Sequence, residues 1–134
     1  MIIDTDLARL TAADLRAAEL AARGLRHVGR TRSEPALAAV ADAIVDALLA
    51  EQATRDAGRG RGTVRLTVPE FADADPDRAL ADRRGVIGYL LLVRDDPDER
   101  PAVRHLFADL AADLADPTET SLEHERARLG ELWP

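Results

Sequence analysis

Cysteine is absent from the 134-residue chain, which excludes disulfide frameworks, zinc–thiolate sites and thiol nucleophiles. Lysine and asparagine are absent too, so all 18 basic residues are Arg. With Ala, Asp and Leu abundant, this is the composition that a GC-rich, actinobacterial-like genome imposes on replaceable surface positions. An Arg here therefore carries less functional weight than it would in a Lys-containing protein. Only Phe71, Tyr89, Phe107 and Trp133 are aromatic. They do not interleave with basic residues as a single-strand nucleic-acid platform requires.

Long hydrophobic runs are missing as well. The longest, Val86 to Val93 (VIGYLLLV), falls far short of the ~18 residues needed to span a bilayer. The opening MIIDTDLARL has neither the basic nor the long apolar region of a secretory signal. A soluble cytoplasmic protein with no membrane partner is expected. No GxSxG elbow, HExxH, EF-hand loop, GxxxxGK[ST] or strand–GxGxxG–helix pattern occurs, so no cofactor is expected and catalysis has no positive support.

The length fits one domain over residues 1–134, able to bury about two thirds of the surface its unfolded chain exposes. Net charge is −7, which opposes simple binding to a phosphate backbone. The charge is divided: residues 16–65 carry nine Arg against six acids (+3), residues 69–134 eight Arg against sixteen acids (−8). An anionic partner would meet the first half.

The pattern predicts a mainly α, compact domain of four to five helices with a minor two-stranded β element. Ile2 to Leu10 reads as a short strand or an irregular lead-in. Thr11 and Asp14 form a capping box, so a helix begins at Ala12, carries Leu15, Ala18, Ala22 and Leu25 on one side, and stops at Gly29. Gly24 is an alternative early end. Ser33, Glu34 and Pro35 mark a second start, with Ser33 as the cap. Leu37, Val40, Ala41, Ile44 and Leu48 then trace one stripe. The short connection implies an antiparallel hairpin.

Thr63 to Val68 alternates as a half-buried strand, closed by Pro69, and needs either the N-terminal segment or a second chain as its partner. Asp75 and Pro76 start a third helix towards Arg94, although Val86 to Val93 also fits a buried strand. From Pro101, Val103, Leu106, Phe107, Leu110 and Leu114 predict a fourth helix ended by Pro117. Ser121 caps a fifth, with Leu122, Leu129, Leu132 and Trp133 on its stripe.

Three features are candidates for function. Arg23, Arg26 and Arg30 share a helical face with Arg32 just beyond, and Arg59 and Arg61 form a second cluster in a Gly-Arg-Gly-Arg-Gly loop. In a hairpin these clusters sit at opposite ends and make no common groove. His105, Asp109 and Asp113 follow at four-residue steps, a spacing that suits metal-assisted chemistry or, more simply, a solvated helix face. His124 between Glu123 and Glu125 is a poorer metal site, because adjacent helical residues diverge. Trp133 is a folded-back plug or a partner anchor.

The leading expectation is a non-enzymatic protein–protein interaction module, an adaptor, regulatory subunit or assembly factor acting through a helical surface. Its partner is another protein or a second copy of itself. The alternatives are a small nucleic-acid-binding regulator using the Arg-rich helix pair, with nucleic acid disfavoured by net charge, and a small metal-assisted enzyme centred on His105.

Overall fold

The computed structural model describes residues 2–59, 62–68, 71 and 75–115. Their elements run β1 (Ile2–Asp6), α1 (Ala12–Thr31), α2 (Pro35–Asp56), β2 (Thr63–Thr67), α3 (Pro76–Asp95) and α4 (Pro101–Leu114). The protein is thus mainly α, with four helices and a minor two-stranded sheet among the described residues. The fifth helix proposed from Ser121, and the stops at Pro69 and Pro117, lie outside them.

β1 pairs antiparallel with β2, Ile3 opposite Leu66 and Asp4 opposite Arg65. The partner of the predicted strand is therefore the N-terminal segment of the same chain. Strand alternation turns Ile3 and Leu66 inward and leaves Asp4 and Arg65 outside, where they form an ion pair at 3.2 Å. α1 and α2 pack side by side as a hairpin, α3 and α4 pack as a second pair, and α2 also touches β2 and α3. One core joins these layers, with Phe107, Leu90, Leu15, Leu48 and Ile44 among its most deeply buried side chains.

Local chemistry sets the element ends. The Thr11 hydroxyl accepts the Asp14 N–H and the Asp14 carboxylate accepts the Thr11 N–H, completing the capping box. The Asp75 carboxylate accepts the Asp77 N–H at the start of α3, with Pro76 in the first turn. Val86 to Val93 continues α3 as helix, and its residues from Val86 to Leu91 are all buried, so this stretch carries no one-sided stripe that periodicity could have read.

Two expected boundaries are corrected. Gly29 does not stop α1, which runs on to Thr31, and Gly24 does not interrupt it. Nor does Ser33 cap α2: the N-cap is Glu34, which makes no side-chain capping bond. Ser33 instead has φ +54°. The Glu34 N–H donates to the Gly29 carbonyl at 2.7 Å across it, the long-range bond of a Schellman C-cap. α2 ends in the same way at Gly58 (φ +72°), where the Gly58 and Arg59 N–H groups donate to the Arg55 and Thr54 carbonyls.

Candidate functional site

The arginines of α1 pair with carboxylates of their own helix and of α2. Arg23 pairs with Glu19 at 2.7 Å, Arg26 with Asp42 at 3.0 Å, and Arg30 approaches the second Asp42 oxygen at 3.8 Å. The Arg23 guanidinium, then the Gln52 amide bond at 3.1 Å, holds the Glu19 carboxyl below its usual range. Arg32 turns away, its guanidinium 3.5 Å from the Tyr89 hydroxyl. Burial first, and a hydrogen bond to Glu34 second, push that hydroxyl above its ordinary value, with Arg32 opposing. Arg23, Arg26 and Arg30 thus form one strip, but each shares a carboxylate.

Arg59 is exposed just past the C-terminus of α2, whereas Arg32 precedes its N-terminus. The 22 residues of α2 separate them by about 33 Å at 1.5 Å per residue. The two Arg clusters do not form one groove. Arg61, Trp133 and His124 lie outside the described residues.

His105, Asp109 and Asp113 are all exposed on α4. Among the described residues, no group of three or more His, Asp or Glu side chains is placed to hold a metal ion. His105 and Asp109 do line a cleft of about 430 Å³ between α4 and the β1–α1 connection, facing Asp6 and Arg9 across Leu10 and Leu106.

Two features escaped sequence reasoning. The first is on the outer side of the hairpin. Leu20 is 73% exposed, diametrically opposite the buried stripe Leu15, Ala18, Ala22 and Leu25 of its own helix. Leu49 of α2 is 40% exposed. Both lie between the same two cross-helix bonds, Glu19–Gln52 and Arg26–Asp42, so they sit at a similar level of the hairpin. A count of apolar residues off the core stripe would have found Leu20.

The second is Glu51, 1% exposed although charged. Arg55 donates through Nε to Glu51 Oε1 at 2.9 Å and through Nη2 to the Leu7 carbonyl at 2.9 Å, fastening the β1–α1 connection to α2. Continuing the stripe from Ile44 and Leu48 by three and then four residues lands on Glu51 and Arg55, the signal that marked them.

No helix of the described residues is long and apolar enough to cross a membrane. Comparison with protein-family models, curated proteins and solved structures finds nothing that matches this chain.

Proposed function

We propose that the protein is a non-enzymatic interaction module, an adaptor, regulatory subunit or assembly factor, that binds another protein or a second copy of itself through the outer face of the α1–α2 hairpin. The observation that carries this reading is Leu20, an apolar side chain 73% exposed on the face of α1 turned away from the core. Leu49 adds apolar area at a similar level, and the flank beside them carries the Arg23–Glu19 and Arg26–Asp42 pairs. An apolar centre edged by mutually neutralised charge has the anatomy of a protein interface, whose centre is depleted in charge and whose rim is polar. The same pairs argue against the nucleic-acid alternative. Counterion release needs free cations, and Glu19 and Asp42 already engage three of the four arginines involved.

The test is light scattering of the purified chain together with capture from its native lysate, each repeated with Leu20→Glu. Self-association or a specific partner, lost in Leu20→Glu with helical content unchanged, is the expected result. A wild-type chain that stays monomeric and retains nothing, or a variant that retains the same partner, overturns the reading.

A further inference from the structure

We propose that the cleft between the β1–α1 connection and α4 binds a small apolar amino acid as its zwitterion. The inference is independent of the hairpin face.

The cleft holds about 430 Å³, within the range of small-molecule sites. Its floor is apolar: Leu10 and Leu106 are 4% and 5% exposed, as parts of the core. Its rim is charged on both walls, with Asp6 and Arg9 on one and His105 and Asp109 on the other.

The rim side chains are exposed and little engaged by their neighbours among the described residues. Elsewhere Arg23, Arg26, Arg55, Arg65, Arg100 and Arg104 all donate to a carboxylate or a carbonyl. The side chains of Arg9, His105 and Asp109 make no hydrogen bond or ion pair among the described residues. Asp6 spends one oxygen on the Ala8 N–H at 2.9 Å and keeps the other.

The Arg9 guanidinium, whose donors have no partner among the described residues, suits bidentate capture of a carboxylate. The two rim carboxylates then discriminate. They repel a free polyanion such as phosphate and favour a ligand that also brings a positive charge. An α-amino acid supplies both ends, its carboxylate on Arg9 and its ammonium on Asp109 or Asp6. An aliphatic side chain lies over Leu10, Ala102 and Leu106, the apolar residues that line the cleft between the charged groups.

The test follows the His105 ring protons by NMR in the full chain, with the His105 signal assigned by its disappearance in His105→Asn. The probes are L-leucine, 4-methylpentanoate (no amine), isoamylamine (no carboxylate) and inorganic phosphate. Leucine is expected to shift the His105 signal saturably with Kd at or below about 1 mM, and each half-probe at least about tenfold more weakly. Arg9→Gln, a change at an exposed side chain, is expected to weaken leucine binding by a similar factor. No saturable shift with leucine, an equal response to phosphate, or unchanged affinity in Arg9→Gln overturns the proposal.

Discussion

Gly29 of α1 lies directly against Ala38 of α2: a Cβ built on Gly29 would fall 2.6 Å from the Ala38 backbone nitrogen and 3.1 Å from its Cβ. The obstacle is helix backbone, which cannot swing aside as a flexible side chain does. Gly29→Ala must therefore push the two helices apart where they converge on their turn. Overpacking of this kind costs about 1–3 kcal/mol, and urea unfolding of the variant should report that loss. Gly24, in the same helix, has nothing within 4 Å of the added methyl. Gly24→Ala should stabilise by up to ~1 kcal/mol through helix propensity alone. Equal effects at the two positions would contradict the close approach.

Ser33 is the other half of that turn. It holds φ +54°, a conformation in which an L side chain crowds the following carbonyl at about 1–2 kcal/mol. The equivalent position at the end of α2 is Gly58. Ser33→Gly should raise the urea midpoint, with a gain of about 0.5–1 kcal/mol once the greater freedom of glycine in the unfolded chain is subtracted. A fall in stability would mean that the Ser33 side chain contributes more than its backbone conformation costs.

These two residues also explain what the sequence could reveal. Capping signals are local, so the Thr11–Asp14 box and the Asp75–Pro76 start are legible from a few residues. Gly29 and Ser33 were legible as a helix boundary but with their roles exchanged. A glycine near a helix end reads as a left-handed stop, whereas here it is needed for proximity to Ala38, which only the packed hairpin reveals. Serine before Glu-Pro reads as an N-cap, whereas it supplies the left-handed residue of the preceding helix. Periodicity identified α4 and the large residues of its buried stripe, Val103 to Leu114, and missed only the small Ala111 beside them. The candidate site was less legible. Arg23, Arg26 and Arg30 were visible as a cluster, and Glu19 four residues before Arg23 is a local pair, but the engagement of Arg26 and Arg30 by Asp42 depends on how α2 lies beside α1. The cleft needs Arg9 and His105, 96 positions apart in the chain, to face each other.

Leu20 offers a direct separation of surface from core. Because it is largely solvated and opposite the packed face, Leu20→Glu should change stability by no more than about 0.5 kcal/mol. Leu15→Ala, one turn away on the buried side, should cost about 2–5 kcal/mol. A large loss in Leu20→Glu would show that its side chain already packs within the monomer.

Asp14 ties α1 to α4 by accepting Arg100 Nε at 2.6 Å while closing the capping box with Thr11. The Arg100 bond, and next the Thr11 N–H, lower its carboxyl below the usual range against a smaller opposing effect of desolvation. Since the folded value lies below the unfolded one, the unfolded chain takes up the proton first on acidification. This contribution is complete above the unfolded value, about pH 4, and disappears as the pH falls through the folded value. Asp14→Asn should cost about 1–2 kcal/mol at neutral pH. The gap from wild type should narrow in urea titrations taken below about pH 4. Arg100→Ala should cost less, because half of that side chain is solvated and its charge is screened.

The buried Glu51–Arg55 pair yields the most discriminating set of variants. Removing one member of a buried ion pair costs about 3–5 kcal/mol, mainly by stranding the other charge, whereas replacing both with apolar groups is far milder. The two members are not equivalent. Arg55 is 14% exposed and has a long stem that lets its head move towards water, while the Glu51 side chain is 2% exposed. Arg55→Met strands the deeper charge and also deprives the Leu7 carbonyl of its donor. It should therefore be more damaging than Glu51→Leu. In the double variant no charge is stranded, and the residual cost is the Leu7 carbonyl, about 1–3 kcal/mol. The expected order of loss in urea unfolding is Arg55→Met, then Glu51→Leu, then the double variant, with the double far below the sum of the singles. Strict additivity would mean that the two side chains act separately. In that case the attachment of the β1–α1 connection to α2 would rest on the Arg55–Leu7 bond alone.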